Sequence, residues 1–163
     1  MAIEVSVRRA AQEDLAGVVR LLAQLAPTWT REQAGSAATS REKQVWEAMV
    51  VDERRIVLVA EHGGGVIGIA DLVVLTSLLD GAAPHGLLDN MVVDAAHRGQ
   101  GAGTMLIRAV RAAAQHVGCC RLELLSSKER DRAHAFYQAA GFEQTAEGFR
   151  ADFSSSSATP ARS

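Results

Sequence analysis

A mixed α/β (α+β) fold, with a central β-sheet that is antiparallel in its N-terminal part and flanked by about four helices, is predicted by three features of the sequence. β-Branched runs at residues 56–60 and 66–75 flank a glycine turn, apolar stripes recur at helical spacing, and after residue 87 strand and helix patterns alternate.

Taken in order, Ile3, Val5 and Val7 alternate with Glu4, Ser6 and Arg8, the period of a strand with one buried face. Leu15, Val18, Val19, Leu22 and Leu25 follow Glu13 and Asp14 at helical spacing, and Pro27 closes this first helix. A polar stretch through Ser36, a candidate substrate loop, leads to Thr39-Ser40-Arg41-Glu42, which has the form of a capping box. Val45, Trp46, Met49 and Val50 then form a second, shorter apolar face. The runs 56–60 and 66–75, joined by Glu61-His62-Gly63-Gly64-Gly65, read as an antiparallel hairpin. Residues 77–86, with Pro84 and His85, read as a loop before a strand at 87–93. Leu106, Val110, Ala113 and Val117 form a helical stripe ending at Gly118, residues 121–125 a strand, and Ala133, Phe136, Tyr137 and Ala140 a stripe ending at Gly141. Two strands flanking a helix imply a parallel crossover. One domain is expected over residues 1–153, with a disordered serine-rich tail at 154–163.

The chain has 163 residues, about one domain's length, and 48% hydrophobic against 22% charged residues suffices for a core. A net charge of −2 provides no cationic field for phosphate backbones, so nucleic acid is not an expected partner. The alternating start lacks a signal-peptide core and no apolar run reaches spanning length, so a soluble cytoplasmic protein without membrane contact is expected. Cys119 and Cys120 are adjacent, which suits neither a disulfide framework, a CxxC pair nor a zinc site; they are expected as buried thiols in or before a strand. The histidines are scattered without HExxH spacing, so no metal is expected.

The most informative segment is Val92-Val93-Asp94-Ala95-Ala96-His97-Arg98-Gly99-Gln100-Gly101-Ala102-Gly103-Thr104, between a strand and an amphipathic helix. Glycines at 99, 101 and 103 allow backbone N–H groups to converge on an anion, and the helix dipole adds to the attraction. A diphosphate suits such a site. A Walker A loop is excluded because no Gly-Lys-Ser/Thr follows. A dinucleotide GxGxxG fails at Thr104, although Glu123 lies at a tolerable distance on the next strand.

The stretch Arg98-Gly99-Gln100-Gly101-Ala102-Gly103 resembles the acetyl-CoA-binding Arg/Gln-x-x-Gly-x-Gly/Ala motif of the GNAT N-acetyltransferase superfamily. Ala133-His134-Ala135-Phe136-Tyr137-Gln138-Ala139-Ala140-Gly141-Phe142 resembles the family's second signature, A-x-x-F-Y-x-x-x-G-F. The two departures are Ala95, where many relatives have proline, and Arg130, where many have a pantetheine-contacting asparagine.

This resemblance implies a GNAT fold in which acetyl-CoA, the acyl-donor substrate, lies where the fourth and fifth strands splay apart. The backbone of Met91, Val92 and Val93 then meets the acetyl and pantetheine portions. The segment Arg98, Gly99, Gln100, Gly101, Ala102, Gly103 and Thr104 meets the diphosphate, and Ser126 and Arg130 flank the pantetheine end. The implied reaction is direct attack of a neutral primary amine on the thioester in a ternary complex. An alkylamine of pKa near 10.4 must first lose a proton, costing about 4 to 5 kcal/mol at neutral pH. Asp89 is the candidate base, with Glu61, Asp71 and Glu123 as alternatives. The resemblance assigns Tyr137, which also borders the cofactor, to the departing thiolate. The acceptor amine is unidentified; Trp29, Trp46, Asp80 and His85 are candidate linings beside the 28–40 and 77–86 segments. A homodimer is expected only by family analogy. The competing readings are a non-catalytic acyl-CoA-binding regulatory module and a dinucleotide-dependent oxidoreductase.

Overall fold

The computed structural model describes residues 4–25 and 38–151. The chain divides into two compact units, Met1–Ser127 and Lys128–Ser163. The first unit carries one five-stranded sheet in the order β1 (Ser6–Arg9), β2 (Arg55–His62), β3 (Gly65–Leu75), β4 (His85–Val93) and β5 (Leu122–Leu124). Neighbours from β1 to β4 are antiparallel, and β5 joins β4 in parallel. The helices of this unit are α1 (Leu15–Leu25), α2 (Ser40–Val51) and α3 (Ala102–His116), the last being the crossover between β4 and β5.

The local reasons match the sequence patterns. Val5 and Val7 are half-buried while Glu4, Ser6 and Arg8 face solvent; the strand itself begins at Ser6, and Ile3 lies outside the described residues. Gly63 and Gly64 turn the β2–β3 hairpin at φ +57° and +77°, the pair of positive angles that a type I′ two-residue turn requires. Val57, Val59, Ile69 and Val92 pack on one face of the sheet against Val18 and Leu21 of α1 and Trp46 of α2. The adjacent positions Ala60 and Gly68 point the other way, where a Cβ on Gly68 would lie 3.0 Å from Leu106 of α3. Both faces are therefore covered, as central strands this apolar require.

The capping box at Thr39 is present: its hydroxyl accepts from the Glu42 amide at 3.2 Å, and the Glu42 carboxylate accepts from the Thr39 amide at 2.7 Å. α2 buries less than its apolar residues suggest, because Val45 is exposed and Trp46 carries the contact. The Trp46 indole donates to the carbonyls of Ala11 and Gln12, both at 3.2 Å, which fixes α2 to the chain entering α1. In α3 the buried stripe includes Ile107 and Ala114 beside Leu106 and Val110, whereas Val117 lies past the helix end and is exposed. The cysteines correct an expectation: Cys119 is only half-buried and Cys120 is exposed, because they occupy the surface turn between Gly118 and β5.

Asp14, at the start of the first helix, is buried. Its two oxygens accept from the Arg8 guanidinium at 2.7 and 2.9 Å, and one also accepts from the Ala11 amide at 2.7 Å. Arg8 therefore holds the Asp14 carboxyl below its ordinary range. A folded-state value lowered in this way contributes stability above the unfolded carboxylate value near 3.9, and that contribution disappears as pH falls through the folded value. Since Arg8 is 41% exposed, Asp14→Ala is expected to cost only about 1 to 2 kcal/mol, or about 3 to 6 °C in Tm. Melting curves at pH 7 and pH 3 check this, the difference between variant and parent shrinking at pH 3.

The second unit contains α4 (Asp131–Ala139), which ends at Gly141 with φ +81°, and residues 142–151 have neither helix nor strand. Pro27, Trp29, most of the 28–40 segment and the serine-rich tail lie outside the described residues. Among those described, no helix is long and apolar enough to cross a membrane.

Candidate active site

β4 is paired on both sides only at its beginning. Gly86, Leu87 and Leu88 face Leu122, Glu123 and Leu124, and there β5 ends, so residues 89–93 have no β5 partner. An unpaired strand edge is a template for an extended, amide-bearing ligand. The other side stays paired to β3 but is irregular: Asp89 faces Asp71 and Val92 faces Ile69, so Asn90 and Met91 oppose Ala70 alone. This is a β-bulge, and Asn90 within it has φ +47°.

β4 leads directly into the glycine turn. Asp94 accepts from the Ala96 amide at 3.0 Å and so caps a short turn, Ala95–His97. The chain then passes Gly99 at φ +76° and Gly101 at φ +96°, the latter capping α3, whereas Gly103 has no positive φ. The first helical bond runs from the Met105 amide to the Gly101 carbonyl at 3.1 Å, so the amides of Ala102, Gly103 and Thr104 open the helix without an intrahelical acceptor. A Cβ built on Gly99 or Gly101 meets no atom within 4 Å, so these glycines are required by their backbone angles and border open space. Open space, unused amides and the positive end of a helix dipole together fit a diphosphate.

The turn is braced from behind. Asp94 forms an ion pair with Arg20 of α1, which also donates to the Val66 carbonyl at 2.8 Å. Gln24 of α1 accepts from the Ala95 amide at 3.0 Å. The Ala96 amide and then the Arg20 guanidinium hold the Asp94 carboxyl below its ordinary range. Arg98 does not pair with Asp94, the alternative its position suggests; its Nε donates to the Val93 carbonyl at 3.0 Å. Gln100 donates to the Ala96 carbonyl at 3.2 Å.

Residues 18–142 match the model of the acetyltransferase (GNAT) family. The chain belongs to the GNAT acetyltransferase family. It is an acetyl-CoA-dependent N-acetyltransferase, and the dinucleotide reading gives way. The aminoglycoside N(6')-acetyltransferase type 1 of Stenotrophomonas maltophilia is 29% identical over 105 residues, which cover 63% of this chain and 69% of the relative. Among solved structures, a candidate acetyltransferase of Agrobacterium tumefaciens str. C58 has 28% identity and a TM-score of 0.82, covering 91% of this chain and 99% of that one. A transcriptional regulator from Bacillus halodurans C-125 has 25% identity and a TM-score of 0.86, with coverage of 92% and 100%.

In this acetyltransferase the candidate acids divide by environment. Asp89 is exposed on β4, with the Asn90 amide 3.3 Å from its Oδ2. Asp71, directly across on β3, is fully buried, and burial pushes its carboxyl up against the opposing pull of Asn90 and Arg55. Glu61 is tied to Arg8 at 2.8 Å and Glu123 to Arg121 at 3.0 Å. Asp80 pairs with the same Arg121, and His85 Nε2 lies 3.7 Å from Glu123, so these two candidate pocket residues sit at the opposite end of β4 from the glycine turn. Trp46 belongs to the core. Met91 and Val93 are half-buried beside the free edge, whereas the Val92 side chain is in the core and offers only its backbone. The Ser126 hydroxyl is buried and has no hydrogen-bond partner among the described residues.

Tyr137 lies on α4 of the second unit, half-buried, with edge-on contacts to Phe136 at 5.4 Å and Phe142 at 5.9 Å between ring centres. Burial pushes its phenol up, and Arg130 in the same unit pulls weakly the other way. Arg130 caps α4 through its carbonyl, which accepts from His134 at 3.0 Å. The sequence reading missed Arg20, Gln24 and Asn90. For Asn90 a signal existed, since asparagine disfavours strand interiors and tolerates positive φ. For Arg20 and Gln24, on the outer face of an amphipathic helix, none did.

Proposed function

We propose that the enzyme transfers acetyl from acetyl-CoA to a primary amine of a cationic amino sugar, by direct attack in a ternary complex. The observation that carries the donor placement is the unpaired β4 edge running into the open glycine turn. Pantetheine lies along residues 91–93 as an added strand, and by family resemblance Ser126 and Arg130 are its further contacts. Arg98 and the amides from Gly99 through Thr104 hold the diphosphate. The acceptor class rests on the aminoglycoside-modifying relative and on the exposed carboxylate of Asp89, which attracts a cationic amine.

Asp89 takes a proton from the ammonium, directly or through water. The freed lone pair then forms the C–N bond at the thioester carbonyl. As the tetrahedral intermediate collapses the C–S bond breaks, Tyr137 gives its proton to the departing thiolate, and the second proton lost by the nitrogen restores the phenol through solvent. No acyl-enzyme forms, so neither cysteine is needed. This reading places the enzyme in the cytoplasm, with its supply of acetyl-CoA, and takes it to be a homodimer, which sedimentation of the purified chain checks.

Thiol release from acetyl-CoA, measured across aminoglycosides, polyamines, amino acids and lysine peptides, tests the function. Turnover is expected with aminoglycosides bearing a free primary amine, with the product heavier by one acetyl group. Asp89→Asn is expected to lower kcat/KM by about 10- to 100-fold at neutral pH and by less at high pH, where the amine is already free. Turnover confined to peptides, or none despite tight acetyl-CoA binding, rejects the amino-sugar reading, the second result pointing to a regulatory module.

A further inference from the structure

β4 contains one residue more than its partner requires, and that residue is held. Asn90 has φ +47° inside a strand, where a side chain other than glycine is strained unless its surroundings fix it. Its Nδ2 donates to Asp71 Oδ2 at 2.8 Å, and the same oxygen accepts from Arg55 Nη1 at 2.7 Å. Asp71 has no exposed surface, and its Oδ1 has no hydrogen-bond partner among the described residues. A carboxylate is costly to bury, and one placed in the apolar run Ile-Ala-Asp-Leu-Val-Val gains nothing from packing that valine would not supply. Here its polar contacts are with Asn90 and Arg55.

A bulge changes which backbone groups beyond it face each side of a strand. Asn90 lies where pairing with β5 has just ended, so this bulge decides which groups of residues 89–93 turn to the free edge. We propose that Asn90, locked by Asp71 and Arg55, is a positioning residue whose left-handed backbone presents the Met91 amide to the thioester carbonyl. The inference rests on the donor placement proposed above. Asn90 touches no reacting atom; it acts through the main chain of its neighbour.

The alternative is a brace that only stabilises the sheet, and the two differ in what glycine does at position 90. Glycine adopts positive φ freely but cannot bond Asp71, whereas alanine can do neither. Three quantities are measured for Asn90→Ala, Asn90→Gly and Asp71→Asn: kcat, the dissociation constant for coenzyme A, and the carbonyl stretch of bound [1-13C]acetyl-CoA. Asn90→Ala is expected to lower kcat by about 30-fold and to return the stretch toward its value in free acetyl-CoA, with coenzyme A affinity changed less than about 3-fold. Asn90→Gly recovers most of both, and Asp71→Asn, which keeps the shape, loses about 3- to 10-fold in kcat. Equal losses in the alanine and glycine variants, an unshifted stretch in Asn90→Ala, or coenzyme A affinity falling together with kcat overturns the assignment. If the parent binds acetyl-CoA but acetylates nothing, the acetyl-transfer reading fails while the carbonyl stretch still decides the role of Asn90. If it does not bind acetyl-CoA, both fail.

Discussion

Replacing Gly101 by valine is expected to raise the dissociation constant for coenzyme A by about 100-fold, a loss of about 2.7 kcal/mol, in a chain that still folds. Gly101 has φ +96° and ψ −13° where the turn becomes α3. A β-branched residue is strained at such an angle, by about 1 to 3 kcal/mol, and relieves the strain by rotating the peptide units on either side. Those units carry the amides of the proposed diphosphate cradle. The added methyl groups also project into space that no atom of the protein fills within 4 Å, the space assigned to the ligand. Binding is lost for two reasons, and the core for neither, because Leu106, Ile107 and Val110 hold α3 to the sheet further along. Calorimetric titration with coenzyme A, beside a melting curve, separates the effects. Gly101→Ala should lie between parent and valine. An affinity within about 3-fold of the parent in Gly101→Val would remove the turn from the binding site.

Tyr137→Phe is expected to lower kcat by about 10²- to 10³-fold, with KM for acetyl-CoA nearly unchanged. The ring contacts with Phe136 and Phe142 survive the change, so the loss isolates the hydroxyl. Burial pushes the phenol up, more than Arg130 pulls it down. A proton donor with a raised pKa stays protonated to higher pH, so the parent should show no alkaline fall in kcat from this group below pH about 10. On the role proposed for Tyr137, the thiolate in the variant must leave unassisted or take its proton from water. Stopped-time assays of thiol release from pH 6 to 10 supply both numbers. A kcat within about 2-fold of the parent would leave Tyr137 as a packing residue.

Most of the architecture was legible because its signals are local. The hairpin at Gly63-Gly64, the capping box at Thr39 and Glu42, and the glycine stops at 118 and 141 each depend on the preferences of a few consecutive residues. The glycine turn was legible for the same reason, since positive φ at Gly99 and Gly101 is a property of the residues themselves. Val45, Val117 and the two cysteines were misread, because periodicity gives the direction of a face but not whether a neighbour covers it. The acids were least legible. Asp14, Asp71 and Asp94 are all buried, yet nothing in the flanking sequence distinguishes them from exposed Asp89.

The sequence alone determined the order of elements, the glycine turn and the membership of a family that moves acetyl groups, because each depends on residues within one helical turn or one loop. Tertiary structure alone decided that β5 stops short and leaves β4 open, that Arg20 rather than Arg98 takes Asp94, and that Asp71 grips Asn90 at the bulge. Each of those depends on a partner far away in sequence. A charge or an unpaired edge is defined by what lies across from it, and only the folded chain supplies that neighbour.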